Sequence, residues 1–167
     1  KEFEEGIAEL KKSIELDPEN EQIYIDLARA YLAMKKPEEA EATLRQALEK
    51  KKDSTTLILA MGDLLLVQGK QAEAEVQYQR ALELDADNEA LYAKLGQYYL
   101  ATQKWKQAEE VYQKLASRKP DHETPQMLLG EFYTYMGAGD KALEHFQKAV
   151  ELNPKSKPAG NALVNFY

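Results

Sequence analysis

Apolar and polar side chains alternate along this chain at the three- and four-residue steps of a helix, in stretches of similar length separated by short breaks. The spacing predicts one set of helices near residues 21–34, 55–68, 89–102 and 123–136. A second set falls near 37–50, 71–84, 105–118 and 139–152. Glu, Ala, Leu, Lys and Gln dominate, and runs of Val, Ile and Thr are missing, so the chain reads as all-α. The breaks carry suitable chemistry. KKPEEA puts Pro37 at a first helical position with Glu38 and Glu39 in the first turn. QGKQA and MGAGDKA use glycine to end the preceding helix. Asn20, Ser54, Asn88 and Ser156 stand where N-caps are needed.

One residue sits oddly in this pattern. Gly96 lies inside YAKLGQYYLA, where glycine costs about 1 kcal/mol relative to alanine. Stepping by 34 residues reaches Gly62 and Ala28 on one side and Gly130 on the other. The same step from Tyr99 meets Leu65, Tyr31, Tyr133 and Tyr167, and from Leu95 meets Met61, Leu27, Leu129 and Leu163. Gly6, Ala40, Ala74, Ala108 and Ala142 form another series, followed four residues on by Leu10, Leu44, Tyr78, Tyr112 and Phe146. A third runs Ser13, Ala47, Ala81, Leu115 and Ala149. A period of this length is the mark of a helical repeat architecture. Gly96 is then expected to face the second helix of its own repeat. Ala108 would be its counterpart, two small residues letting the backbones approach, with Leu95, Tyr99 and Tyr112 filling the space beside them.

Tyr92, Leu95-Gly96, Tyr99, Ala108, Tyr112 and Pro120 together resemble the tetratricopeptide repeat, and the likeness covers the whole chain. Departures are local: Ile58 and Gln126 replace the first aromatic, Leu115 a small residue, and Lys52 and Ala86 the closing proline. The resemblance implies an α-solenoid of stacked antiparallel helix pairs wound into a right-handed superhelix. It divides the chain into repeats at 21–54, 55–88, 89–122 and 123–156. Residues 1–20 match the second half of a repeat and 157–167 the first half of another, so the chain reads as an excerpt of a longer array. Phe3, Ile7, Leu10 and Ile14 on one side, and Leu163, Phe166 and Tyr167 on the other, lack packing partners in that reading, and self-association through these ends is one expectation.

Charge and composition narrow the function. The chain is 44% hydrophobic and 31% charged, which fits a folded chain rather than a disordered one. A net charge of −7 argues against nucleic acid or an anionic membrane as the main partner. The one basic cluster, Lys50 to Lys52, falls at a helix end, where it complements the helix dipole. Cysteine is absent, which excludes disulfides and zinc–thiolate sites and leans toward a bacterial or exported chain; the compartment is otherwise open. The longest apolar run, Leu57 to Val67, is about half a bilayer span and contains Asp63.

Enzyme chemistry finds no footing in the residues. His122 in KPDHET and His145 stand apart in the repeat, both reading as surface residues without a nucleophile in register. Carboxylates abound at the helical spacings of solvated faces. GAGDKA, residues 137–142, fits a dinucleotide-loop pattern but follows a helix where such a loop needs a strand. No catalytic residue, cofactor or metal is expected.

What the resemblance implies instead is a groove lined by the first helix of each repeat, at repeat positions 2, 5, 6, 9, 12 and 13. Carried onto this chain, the first repeat offers Ile25, Arg29 and Leu32, and the second Leu59, Asp63 and Leu66. The third offers Lys94, Gln97 and Leu100, and the fourth Met127, Glu131 and Tyr135. Some members of the family grip a terminal carboxylate with Lys and Asn at set positions. Here those positions hold Ile25, Arg29, Ala60, Ala90 and Lys94, so that mode is not expected. The reading is a non-enzymatic scaffold whose apolar groove holds a helical or apolar segment of a partner protein. Two alternatives stand beside it: an array that self-associates into an oligomer, and one module of a larger bacterial envelope or polysaccharide-export protein whose activity lies elsewhere.

Overall fold

The structure, a computed structural model, describes residues 2–166. Every regular element in it is a helix: α1 (Glu2–Leu16), α2 (Glu21–Ala33), α3 (Pro37–Lys50), α4 (Thr55–Val67), α5 (Gln71–Leu84), α6 (Glu89–Ala101), α7 (Trp105–Arg118), α8 (Glu123–Tyr135), α9 (Gly139–Leu152) and α10 (Lys157–Phe166). The eight helices α2–α9 begin and end within one residue of the ranges the periodicity predicts. Contacts gather the chain into two compact units, Lys1–Ala86 and Asp87–Tyr167. In the first, α2 packs on α3 and α4 on α5, with α1 against α2 and α3 against α4. In the second, α6 packs on α7 and α8 on α9, with α7 against α8 and α9 against α10. Tyr167, where the series from Tyr31 ends, lies outside the described residues.

Local signals set the helix ends. Asn20 accepts a hydrogen bond from the Gln22 amide at 3.2 Å, and Asn88 from that of Ala90 at 3.1 Å. Ser54 and Ser156 accept from the amides of Leu57 and Ala159, each at 3.2 Å. These contacts satisfy helix donors that have no partner inside the helix. The turns that follow α2, α4, α6 and α8 all pass through a left-handed residue at one repeat position: Lys35, Gly69, Gln103 and Gly137, with φ of 58°, 76°, 59° and 71°. The next amide then reaches back to the helix, as Lys36 N to Tyr31 O at 2.9 Å and Ala138 N to Tyr133 O at 2.9 Å. Glycine announces two of these turns; Lys35 and Gln103 adopt the same geometry without it.

The small-residue series lies in the core except for its first member, Gly6, which is exposed with open space where a Cβ would stand. Ala40, Ala74, Ala108 and Ala142 are all fully buried, and Gly62, Gly96 and Gly130 are buried too. The way the glycines are used differs from the sequence expectation. A Cβ on Gly62 would lie 2.9 Å from Cε1 of Tyr78, and one on Gly130 would lie 2.5 Å from Cε1 of Phe146. On Gly96 it would run into the ring of Tyr112. The nearest object is therefore an aromatic ring seated on the glycine, not the alanine four residues before that ring. The glycine makes room for a large side chain rather than for a second backbone.

Polar contacts tie successive hairpins within each unit. Glu21, at the start of α2, accepts from Ser54 Oγ at 2.7 Å and lies 3.5 Å from Lys51 Nζ. Glu89, at the start of α6, repeats this with His122 Nδ1 at 2.7 Å and Lys119 Nζ at 3.4 Å. Lys50 donates to the Pro18 carbonyl and to the Tyr24 hydroxyl, so the basic cluster does more than complement a dipole.

The carboxylate of Glu41 accepts from Lys70 Nζ at 2.8 Å and from Arg45 at 2.6 Å. These two hydrogen bonds hold its pKa down at about 2. A depressed carboxylate adds stability above its ordinary pKa and loses it as pH falls through the folded value. Glu41→Gln should therefore cost about 1 kcal/mol at neutral pH, the two cations being largely solvated. The gap between parent and variant in urea unfolding should close as pH drops from about 4.5 to about 2. A gap that persists unchanged to the lowest pH would mean Glu41 acts through packing instead.

Candidate functional site

Of the residues predicted for a groove, all but one are exposed or half-buried. In the first unit, Arg29 and Asp63 are exposed, and Leu32, Leu59 and Leu66 are half-buried. Ile25 departs from the expectation. It is 5% exposed, because α2 has neighbours in α1, α3 and α4 and its branched side chain is taken into that packing. Val67, beside Leu66, is 72% exposed. In the second unit, Gln97, Glu131 and Tyr135 are exposed, and Lys94, Leu100 and Met127 are half-buried. Within each unit these helices are neighbours, α2 with α4, α6 with α8, and α8 with α10, so their faces adjoin.

The polar members of the face differ in how they are held. Asp63 accepts a hydrogen bond of 2.6 Å from the Tyr78 hydroxyl, whose ring covers Gly62. Arg29 leans on Asp26 at 3.4 Å, and Asp26 also accepts from Gln22 at 2.8 Å. Both contacts are local to one exposed helix face and contribute little. In the second unit, burial pushes the Tyr112 phenol up to about 12, assisted by the negative charge of Glu131. Glu131 is exposed as a residue, yet neighbouring atoms crowd its carboxyl, and that desolvation raises its pKa above the usual carboxylate range.

A cavity of about 400 Å³ opens beside Glu131 on the α8–α10 face. Thr134, Tyr135, Phe146, Ala162, Asn165 and Phe166 complete its lining, which is mostly apolar. The Tyr135 ring is braced by Trp105, with centroids 5.6 Å apart, and Phe166 meets Phe146 at 5.9 Å. A cavity of about 480 Å³ in the first unit lies between Leu32 and Val67, rimmed by Lys35, Lys70 and Glu38. Gln68 borders it, donating to the Pro37 carbonyl while its own side-chain oxygen, buried, has no partner. Neither Trp105 nor Phe166 stood among the predicted site residues. Trp105 belongs to a second helix, and Phe166 sits at a repeat position that elsewhere faces the core.

Both histidines are placed by contacts with another helix, His122 by Glu89 of α6 and His145 by residues of α8. His122 is exposed, as expected, at the N-cap of α8. His145 is half-buried rather than on the surface: it stacks on Tyr133 at 5.3 Å and lies 2.8 Å from the side-chain oxygen of Gln126. Gln126, 3% exposed where other repeats carry an aromatic or Ile58, needs that polar partner. Burial lowers the His145 pKa, favouring the neutral imidazole. Residues 137–142 run from α8 into α9. Among the described residues, no group of three or more His, Asp or Glu could hold a metal ion, and no helix is long and apolar enough to cross a membrane.

Known proteins share this arrangement. The crystal structure of MamA is 27% identical, covers 92% of this chain and 90% of its own, and superposes with a TM-score of 0.64. TTC0263, a thermophilic TPR protein of Thermus thermophilus, is 16% identical over 98% of this chain and 90% of its own, with a TM-score of 0.65. YrrB, described as a TPR protein with an unusual peptide-binding site, is 23% identical over 95% and 81%, with a TM-score of 0.56. No curated protein matches the chain significantly. One sequence model of the Tetratricopeptide repeat matches residues 1–64 and 65–132, and a second matches 125–156. With paired helices, buried small residues in phase and these matches over nearly its whole length, the chain belongs to the tetratricopeptide repeat family.

Proposed function

We propose that the chain is a protein-interaction scaffold whose first-helix faces hold an apolar or amphipathic segment of another protein. The observation that carries this reading is the surplus of apolar side chains on those faces. Val67 is 72% exposed and Tyr135 64%, and Leu32, Leu59, Leu66, Leu100 and Met127 are half-buried, although the core is already filled from other repeat positions. Apolar side chains at helical spacing on an exposed face favour a partner that also presents an apolar stripe. Met127 and the leucines can adjust to such a segment. The kinship with peptide-binding YrrB agrees with this at the level of the fold. The division into repeats at 21–54, 55–88, 89–122 and 123–156 makes each repeat one contributor of contacts.

Peptides selected from a displayed random library against the protein test the proposal. They should be rich in apolar residues, and Leu59→Asp combined with Met127→Asp should weaken their binding at least tenfold while far-ultraviolet circular dichroism stays unchanged. Gln79→Glu, on an exposed second-helix position, should leave binding intact. Undiminished binding to the Asp variant would move the site off these faces.

A further inference from the structure

The face of the second unit carries one feature that a merely apolar groove does not need. Glu131 receives no hydrogen bond and no ion pair among the described residues, and no cation stands near its carboxyl. The equivalent residue two repeats earlier, Asp63 in the first unit, is satisfied by the hydroxyl of Tyr78. At the position of Tyr78, the hairpin of Glu131 has Phe146, which offers a ring and no donor. Glu131 therefore points its charge into a cavity of about 400 Å³ walled by Tyr135, Phe146 and Phe166. A carboxylate among aromatic rings attracts a cation twice, by its charge and through the ring faces. It repels an acidic ligand and gives a purely apolar one nothing to neutralise it.

We propose that this cavity takes a lysine or arginine side chain of a partner polypeptide, its aliphatic stem against Tyr135 and Phe166 and its cationic head at the Glu131 carboxylate. A long basic side chain matches both parts of the cavity, since it can bury its stem while its head remains paired. The Trp105 contact holds Tyr135 in place before binding, which limits the ordering cost. The raised carboxyl pKa agrees: charge there is disfavoured in the free protein and would be favoured beside a bound cation.

The inference rests on the proposed segment-binding function and names what one end of that segment carries. Three acetylated, amidated ten-residue peptides of leucine and alanine test it, with arginine, norleucine or glutamate at one central position, titrated calorimetrically into the intact chain. The arginine peptide should bind at least tenfold more tightly than the norleucine peptide, and the glutamate peptide most weakly. Glu131→Gln should erase the arginine preference, so that the arginine and norleucine peptides bind alike. Phe146→Tyr, which supplies the donor that Tyr78 gives Asp63, should shrink the preference. Equal affinities for arginine and norleucine, or a preference that survives Glu131→Gln, would overturn the cation site and leave the apolar groove standing. Binding of none of the three would overturn the cation site and count against the groove as well.

Discussion

Gly96→Ala is expected to lower the stability of the protein by about 1–3 kcal/mol, although alanine is the better helix former by about 1 kcal/mol. The added methyl group would enter the space of the Tyr112 ring. That ring is 2% exposed and has Phe132 against it at 6.2 Å, so it has nowhere to swing. Overpacking of this kind forces the ring from its rotamer or the helices apart, and either outcome costs more than the propensity gained. The chain itself contains the compensated pair. In its first hairpin the same two positions hold Ala28 and Leu44, both buried, with a shorter side chain opposite the methyl group. Gly96→Ala with Tyr112→Leu should therefore be more stable than the sum of the single changes predicts, by about 1–2 kcal/mol in a double-mutant cycle. Urea unfolding followed by the fluorescence of Trp105, the lone tryptophan, reads both effects. A midpoint for Gly96→Ala at or above that of the parent would refute the ring-on-glycine packing.

Leu115→Ala should cost about 2–4 kcal/mol in the same assay. The repeat pattern argues the opposite, because Ala47, Ala81 and Ala149 occupy the equivalent positions and are almost wholly buried. Leu115 is also wholly buried, so its surroundings have already been built around the larger side chain. A helix packed on α7 differs as well: α8 carries Pro125 and Gln126 near its start, both buried, where other repeats place Leu, Ile or Tyr. Removing the leucine would leave a void that rigid helices close only in part. A cost below about 0.5 kcal/mol would show that this hairpin relaxes to the geometry of the others.

Helix positions, caps and period were legible because each depends on residues close in sequence. Asn20, Ser54, Asn88 and Ser156 act on amides two or three residues away, and an apolar stripe shows its period in any window of a few turns. The family followed from the same regularity. What the residues could not declare is which side chain meets which across a hairpin. Tyr78 reaches Asp63 from fifteen positions away, Tyr112 rather than Ala108 covers Gly96, and Ile25 sinks into a core that its equivalents Leu59 and Met127 border. The isolation of Glu131 depends on the pairing of α8 with α9 and of α8 with α10, so it emerged only once those helices were placed. Local chemistry chose the helices of this chain. Their mutual packing chose which side chains remained for a partner, because burial is a property of neighbours and not of a residue alone.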